Sequence, residues 1–270
     1  MTTVTDVRAK AGVEPITMLT AYDAPGASLV DGAGVDMVLV GDSMGNAVLG
    51  HDSTLPVTVE ETLSHTAAVA RGVEDALVVA DMPFLSFGVE ESESVRNAGR
   101  MLKEAHADAV KLESGPHTVE LTERLVQLGI PVMAHLGLTP QRVNELGGYA
   151  RQGTSEADAR EIVDLARAHE EAGAFSLVLE HVPANLAAHV TDELDIPTIG
   201  IGAGPDCDGQ VLVFHDVVGL SDWTPPFAKP FGDARAEMAR ALGDYVEAVE
   251  SGAFPGDEHS HVEEDLEHLY

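Results

Sequence analysis

The chain has 270 residues, of which 15 are lysine or arginine and 46 are aspartate or glutamate, so its formal charge at pH 7 is −31. Such a charge argues against nucleic acid or an anionic membrane as a partner, because both require a basic surface. The 44 % share of hydrophobic residues is nevertheless enough to fill a core.

The expected location is the cytoplasm. The N-terminus shows no signal peptide, and no apolar run approaches the roughly 18 residues of a membrane helix. Cys207 is the one cysteine, so it cannot form an internal disulfide and fits a reducing compartment.

The acidity itself predicts a halophilic source. Carboxylates are numerous, lysines number four, and aromatic residues make up 4 % of the chain. At about 1 M salt the Debye length falls to about 3 Å, so like charges on the surface largely stop repelling one another. In dilute buffer the same surface should destabilise the folded state.

Short runs of apolar, often β-branched residues recur along the chain. They are nearly continuous in hydrophobicity rather than alternating, which is typical of parallel strands buried on both faces. The eight runs are Ile16–Tyr22, Met37–Gly41, Leu77–Ala80, Ala109–Leu112, Pro131–His135, Leu177–Leu179, Pro197–Ile201 and Val211–Phe214.

Most of the segments between these runs have helical spacing. Thr58 and Glu61 form a predicted capping box before one helix, and further helices are predicted over residues 118–128, 155–173 and 233–250. Alternating strands and helices indicate a parallel α/β sheet, and eight repeats in about 250 residues favour a (β/α)8 TIM barrel. An open, doubly wound sheet is the alternative.

The predicted domain organisation is simple. Residues 1–254 are expected to form a single catalytic barrel domain, and residues 255–270 an acidic, mobile tail. The tail's histidines, His259, His261 and His268, could suggest metal binding, but a solvated acidic segment is favoured.

Polar residues cluster where the predicted strands end. In a barrel of this type, catalytic groups lie at the C-terminal ends of the strands and in the loops that follow. One lysine lies within the fourth run rather than after it. The candidate residues are Asp42, Ser43, Asp81, Lys111, Glu113, His135 and Glu180.

Converging carboxylates would repel one another unless a positive charge lay between them. One or two carboxylates, completed by water and substrate oxygens, are the ligands typical of Mg²⁺. Lys111, buried among them, would stabilise developing negative charge. For any single acid, the alternative is an ordinary loop cap that binds backbone amides.

Longer motifs carry a family resemblance. The chain resembles the ketopantoate (3-methyl-2-oxobutanoate) hydroxymethyltransferase family of pantothenate and coenzyme A biosynthesis, over about residues 15 to 260. The motifs that carry the resemblance are Gly41-Asp42-Ser43-Met44-Gly45, Gly50-His51-Asp52-Ser53-Thr54-Leu55-Pro56, Ala80-Asp81-Met82-Pro83-Phe84, Val110-Lys111-Leu112-Glu113, His135-Leu136-Gly137-Leu138-Thr139-Pro140, Leu179-Glu180 and Gly200-Ile201-Gly202-Ala203-Gly204.

The resemblance implies a (β/α)8 barrel of the phosphoenolpyruvate mutase/isocitrate lyase group and a homo-oligomer, commonly a decamer. It implies that Asp42 and Asp81 bind Mg²⁺, with Glu113 completing the site. Substrate binding would fall to Asp42, Ser43, Asp81 and Lys111, and Glu180 would be the proton acceptor. Methylenetetrahydrofolate would be the co-substrate.

His135 could orient substrate or water, or be an ordinary barrel histidine. The chain departs from the family at Asn46, Ala150 and His181, and the last two could change how the pterin docks. A methanopterin-type donor is conceivable for an archaeal source. The alternative functions are a Mg²⁺-dependent 2-oxo-acid lyase or mutase of the same barrel group, which would need a cysteine at a strand end, and a non-catalytic acidic scaffold.

Overall fold

Eight parallel strands close into a barrel in this computed structural model, which describes residues 1–263. Each strand pairs with the next along the chain, and β8 pairs with β1. This confirms the predicted (β/α)8 barrel and rules out the open sheet. The strands are β1 Ile16–Thr20, β2 Met37–Val40, β3 Leu77–Asp81, β4 Ala109–Glu113, β5 Val132–Gly137, β6 Ser176–Glu180, β7 Thr198–Ile201 and β8 Gly209–Leu212.

Helices connect the strands, and those predicted from the sequence correspond to α4, α6, α8 and α11. The predicted capping box is present, since the Thr58 N–H donates to Glu61 Oε2 at 2.8 Å and the Glu61 N–H to Thr58 Oγ1 at 3.2 Å. The helices are α1 Val4–Ala9, α2 Ala24–Gly32, α3 Met44–Ala47, α4 Val59–Gly72, α5 Glu91–Lys103, α6 Val119–Gln127, α7 Val143–Leu146, α8 Glu156–Glu171, α9 Ala184–Glu193, α10 Phe214–Val218 and α11 Ala234–Glu250.

Two apolar layers result from the alternation of side chains along each strand. One set faces outward and packs against the helices, as Val78 and Ala80 of β3 do with Leu63 and Val69 of α4. The other set fills the barrel interior, where Val7 of α1 also packs. The interior set includes Ile16, Met18, Met37, Leu39, Leu77, Val79, Ala109, Met133, Val178, Ile199 and Val211.

The last strand begins and ends earlier than the apolar run predicts. β8 covers Gly209–Leu212 rather than Val211–Phe214, and Phe214 begins α10, its backbone N–H donating to Thr20 Oγ1 at 2.9 Å. β8 begins at Gly209, where the chain approaches β1 so closely that a Cβ would lie 2.5 Å from the Ile16 carbonyl oxygen. A glycine that permits close strand approach carries no hydrophobic signal, so the sequence placed the start too late.

The chain divides into two compact units. The first comprises residues 1–214 and 225–228 and contains the barrel, whereas the second comprises the described residues of 215–224 and 229–263 and contains α11. In the second unit Asp233 caps α11, its Oδ1 accepting from the Ala236 N–H at 3.1 Å. A single catalytic domain over residues 1–254 stays a prediction, as does the mobile tail, whose residues 264–270, His268 included, lie outside the described residues.

Among residues 1–263, no helix combines the length and apolar character that a bilayer span requires.

Candidate active site

Polar and charged side chains lie above the apolar interior of the barrel, at the carboxyl ends of four consecutive strands, β3 to β6. Strand register places Asp81 opposite Lys111 and Glu113 opposite His135, and Glu180 ends β6. Since side chains two residues apart share a face, these groups continue the inward row of each strand. The apolar side chains two residues earlier on the same strands are Val79, Ala109, Met133 and Val178.

Strand boundaries differ slightly from the predicted ones at this rim. Asp81, Glu113 and Glu180 are the last residues of their strands rather than the first residues of loops, and β5 continues to Gly137 beyond His135. Because the backbones of these residues are paired with neighbouring strands, their side chains have less conformational freedom than those of loop residues would. The rim is therefore a rigid arrangement.

Lys111 forms a buried ion pair with Asp81. Its Nζ lies 2.7 Å from Asp81 Oδ1, and the two side chains are 5 % and 2 % exposed. Burial alone would lower the pKa of Lys111, but the charges of Asp81, Asp42 and Glu113 outweigh it and raise this pKa. The lysine is thus a permanent cation at the base of the site.

Three buried carboxylates share this one cation. Burial raises the pKa of Asp42, raises that of Asp81 to about 7, and raises that of Glu113 well above its usual value. With all three ionised, the cluster of Asp42, Asp81, Glu113 and Lys111 carries a net charge of −2. An additional divalent cation would balance that charge and favour the ionised forms.

The donor set fits Mg²⁺ better than a metal held only by protein ligands. Within residues 1–263, no three His, Cys, Asp or Glu side chains converge closely enough to hold a metal by themselves. Mg²⁺ commonly uses one or two carboxylates and keeps waters or substrate oxygens in its other positions. Three buried carboxyl groups, whose ionised forms outnumber the single cation Lys111, match that pattern.

Gln141 belongs to the same cluster, and reasoning from the sequence missed it. It lies in a 3₁₀ turn, Pro140–Arg142, after β5, and its side-chain amide donates to Asp42 Oδ2 at 2.9 Å. Its backbone N–H donates to both carboxylate oxygens of Glu113 at 3.1 Å. Gln141 directly follows the family motif His135–Pro140, and that position beside the motif is the signal that could have indicated it.

His135 connects the cation to the last carboxylate of the rim. Its Nδ1 lies 3.3 Å from Lys111 Nζ, and its Nε2 lies 3.2 Å from Glu180 Oε2. Burial and the nearby Lys111 charge lower the pKa of His135, so the ring is neutral. Because an ammonium only donates, Nδ1 accepts from Lys111, and Nε2, the ring nitrogen nearer to Glu180, carries the proton.

Glu180 is the most accessible acid of this group. Its side chain is 17 % exposed, against 2 % for Asp81. The end of β5 approaches it closely, since a Cβ on Gly137, whose φ is +97°, would lie 2.2 Å from the Glu180 carbonyl oxygen. Glycine is therefore required at position 137 for Glu180 to sit where it does.

Ser43 lies at the edge of the cluster, at the start of α3. Its Oγ is 2.9 Å from the hydroxyl of Tyr22, which is itself 4 % exposed, and Ser43 is half-buried. A hydroxyl pair of this kind can donate to or accept from a bound carboxylate. All seven predicted site residues thus lie around the carboxyl end of the barrel, and Tyr22 and Gln141 join them.

Comparison with known proteins identifies a matching family. A family model described as ketopantoate hydroxymethyltransferase matches residues 1–257. A 3-methyl-2-oxobutanoate hydroxymethyltransferase from Haloarcula marismortui is 70 % identical over 270 residues, which is 100 % of each chain. One from Natronomonas pharaonis is 71 % identical over 265 residues, covering 98 % of each chain. Both organisms are halophilic archaea.

Solved structures match the fold. A 2,3-dimethylmalate lyase, described as a phosphoenolpyruvate mutase/isocitrate lyase superfamily member, has a TM-score of 0.59 at 17 % identity, over 100 % of this chain and 94 % of that chain. A phosphonopyruvate hydrolase in complex with oxalate and Mg²⁺ has a TM-score of 0.61 at 14 % identity, over 96 % and 93 %. At these identities the likeness is one of fold, and it agrees with the closed eight-stranded barrel.

Proposed function

Because the chain belongs to the ketopantoate hydroxymethyltransferase family, we propose that it acts on 3-methyl-2-oxobutanoate with Glu180 as the base and Mg²⁺ in the carboxylate cluster. The one-carbon unit would come from 5,10-methylenetetrahydrofolate, and with water the products are 2-dehydropantoate and tetrahydrofolate. The observation that carries this proposal is the position of an accessible carboxylate, Glu180, beside a buried cluster of three carboxyl groups and one ammonium.

Asp42 and Asp81 would hold the metal, with Glu113 completing the site. When bound, Mg²⁺ would supply Lewis acidity that makes the C3 proton of the oxo acid more acidic. The phosphonopyruvate hydrolase of the same fold was solved with oxalate, a dicarboxylate, and Mg²⁺. That pairing supports a site here in which a small oxo acid and Mg²⁺ bind together.

Substrate binding falls to Asp42, Ser43, Asp81 and Lys111 in this proposal. The Lys111 ammonium stabilises negative charge on the oxo-acid oxygens as the enolate forms, and it is already oriented by Asp81 at 2.7 Å. The Ser43 hydroxyl, paired with Tyr22, adds a neutral hydrogen-bonding group. Both groups are in place before substrate arrives, so no reorganisation is needed during the reaction.

Glu180 takes the C3 proton, and His135 is the accessory residue that orients it. His135 Nε2 lies 3.2 Å from Glu180 Oε2, which leaves the other carboxylate oxygen for the substrate. A general base in the correct orientation contributes about 10²–10⁴-fold to a proton-transfer rate. The enolate carbon then forms a C–C bond to the one-carbon unit, and both bonds from that unit to the pterin nitrogens break. Water supplies the oxygen of the new hydroxyl group, and the proton taken by Glu180 together with one from water goes to the two pterin nitrogens.

The pterin that carries the one-carbon unit would dock near His181, which follows Glu180 in the chain. His181, a family departure, has φ of +47° and packs its ring 5.5 Å from that of Phe227. Aromatic rings near Glu180 are suitable neighbours for a pterin. Turnover with methylenetetrahydrofolate, compared with a methanopterin-type donor under identical conditions, decides between the two carriers.

A lyase or mutase of the same barrel group remains the weaker alternative. Cys207 lies between β7 and β8 rather than at the carboxyl end of a strand, and burial raises the pKa of its thiol, so it is not an activated nucleophile. No observation on this chain favours the alternative over transfer of a one-carbon unit.

The experiment that tests the proposal is proton exchange at C3 of 3-methyl-2-oxobutanoate, followed by NMR in D₂O with molar KCl and no pterin. We expect exchange that requires Mg²⁺ and the folded protein. Absence of exchange both before and after addition of methylenetetrahydrofolate would contradict the proposal.

Two expectations about the protein's setting accompany this activity. A decameric homo-oligomer is the family's usual state, and analytical ultracentrifugation in molar KCl measures it. With Cys207 as its one cysteine the chain fits the reducing cytoplasm, where we expect the reaction to take place.

A further inference from the structure

Gln141 is the one residue among the described residues that hydrogen-bonds to both Asp42 and Glu113. It uses two different groups to do so: the side-chain Nε2 donates to Asp42 Oδ2 at 2.9 Å, and the backbone N–H donates to Glu113 Oε1 and Oε2 at 3.1 Å. Asp42 follows β2 and Glu113 ends β4. One residue of the loop after β5 therefore links the ends of two other strands.

The orientation of the Gln141 amide is fixed by its acceptors. Nε2 has two protons, and the second bond goes to the Met82 carbonyl oxygen at 3.0 Å. Both acceptors are oxygens, so a flipped amide would place its own oxygen against them and lose both bonds. The residue is 5 % exposed, so water could not replace those bonds.

The local backbone aims the other donor. Pro140 opens the 3₁₀ turn and has no N–H, and the Arg142 N–H is used within the turn on the Thr139 carbonyl oxygen at 2.9 Å. The Gln141 N–H is therefore the donor of this turn that is left to point outward, and it meets the Glu113 carboxylate.

A neutral donor suits a cation site in a way that a charged one would not. An arginine or lysine at position 141 would orient the carboxylates but would also cancel part of the −2 charge that a divalent cation needs. An amide and a peptide N–H orient the same oxygens without competing for that charge.

We propose that Gln141 is a positioning residue for the metal site, its side-chain amide orienting Asp42 and its backbone N–H orienting Glu113 toward Mg²⁺. The inference rests on the proposed function, since it takes these two acids as metal ligands. Gln141 touches neither substrate nor reacting atoms in this role. It sets the affinity for the metal by restricting carboxylates that would otherwise rotate.

The test replaces the side-chain donors and leaves the backbone N–H in place. Gln141→Met is nearly isosteric and removes both side-chain bonds, and Gln141→Asn keeps the amide but withdraws it from Asp42 by one methylene. The matched control is Gln127→Met, the same change at an exposed glutamine of α6. Mn²⁺ binding is measured by electron paramagnetic resonance and Mg²⁺ binding by competition, both in molar KCl.

We expect both Gln141 variants to bind the metal about 10- to 100-fold more weakly than the wild type, as is usual when a residue that orients a ligand is removed. In the exchange assay, saturating Mg²⁺ should restore most of the C3 exchange rate, whereas Gln127→Met should match the wild type throughout. Metal affinities within twofold of the wild type in a folded Gln141 variant would overturn the inference.

Two controls separate this inference from the proposed function and from misfolding. If wild-type protein binds Mn²⁺ but shows no Mg²⁺-dependent exchange either before or after addition of methylenetetrahydrofolate, the proposed function fails. The positioning role of Gln141 is still judged by the metal affinities. Thermal melts without metal detect a folding defect in Gln141→Met, in which case the polar Gln141→Asn variant supplies the deciding affinity.

Discussion

Lys111 and Asp81 face each other across neighbouring strands, with Nζ and Oδ1 2.7 Å apart and both side chains at most 5 % exposed. A buried pair of this kind is expensive to break, since removing one partner leaves an uncompensated charge and costs about 3–5 kcal/mol. Here Asp42 and Glu113 add two more negative charges, so the lysine balances more than its immediate partner. The pair therefore belongs to the site, and its positive charge also allows the other two acids to be buried beside it.

We therefore predict that Lys111→Met separates metal binding from catalysis. Loss of the cation should lower the C3 exchange rate by about 10²–10³-fold, because the enolate charge loses its fixed counter-charge. Mg²⁺ affinity should stay the same or increase, since a competing positive charge is removed. The free energy of unfolding should fall by about 3 kcal/mol.

The measurements are NMR exchange, metal titration and urea unfolding, all in molar KCl. Lys103→Met, at an exposed position of α5, is the matched control. A Lys111→Met protein with lost Mg²⁺ binding and normal exchange at high Mg²⁺ would contradict the role given to this lysine.

Glu180→Gln tests the base. The substitution keeps the shape of the side chain but removes its ability to accept a proton, so C3 exchange should fall by about 10²–10⁴-fold. Mg²⁺ and oxo-acid binding should change by less than about threefold, because Glu180 is not among the proposed metal ligands. Isothermal titration calorimetry and NMR exchange measure the two effects, with Glu74→Gln as the control at an exposed position. Retention of most of the exchange rate would assign the base to another residue.

His169 of α8 gives a pH dependence of stability that is independent of the active site. The side chain is fully buried, its Nδ1 lies 3.1 Å from Thr122 Oγ1, and burial lowers its pKa from 6.5 to about 4, with a smaller contribution from the charge of His117. Below pH 6.5 the unfolded chain takes up a proton that the folded protein does not. Stability is therefore lost as the pH falls from about 6.5 towards 4.

At pH 5 this one histidine should cost about 2 kcal/mol relative to pH 7.5. Urea unfolding at the two pH values measures the loss, and His169→Gln should reduce it by that amount even if the variant is less stable at pH 7.5. His189→Gln, at an exposed position of α9, should behave like the wild type. An equal loss in the wild type and in His169→Gln would show that other groups cause the acid sensitivity.

The surface charge predicts a requirement for salt. With a formal charge of −31, repulsion at low ionic strength should destabilise the folded state, and molar KCl should screen it. We expect Tm to rise by roughly 10 °C or more between 0.1 M and 2 M KCl, which corresponds to a few kcal/mol. Differential scanning calorimetry in KCl, compared with sucrose of equal osmolality, measures this, and an unchanged Tm would remove salt adaptation as the reason for the acidity.

Much of the fold was readable from the sequence because its signals are local. Continuous apolar runs of three to seven residues, separated by segments with helical spacing, predicted all eight strands and their parallel arrangement. The capping box at Thr58 and Glu61 formed as expected, since its partners are three residues apart. The predicted start of β8 was wrong because glycine is needed at position 209 for close approach to the Ile16 backbone, which lies far away along the chain.

The residue types of the candidate site were also determined by the sequence. Acids at the ends of successive strands, with one lysine among them, indicate charge and metal chemistry at one end of a barrel, and longer motifs indicate the family. What the sequence could not determine was how these side chains pair. The sequence left two roles for His135, and the structure places its two ring nitrogens beside Lys111 and Glu180.

Only the tertiary structure revealed Gln141, which lies 99 residues from Asp42 and 28 residues from Glu113 along the chain. Hydrogen bonds depend on distances of about 3 Å and on direction, and closure of the barrel brings such distant residues to that range. The sequence determined which chemical groups are present and which strands carry them, because hydrophobic periodicity is local. The tertiary structure decided which group orients which, because that depends on atoms that meet only when the eight strands close.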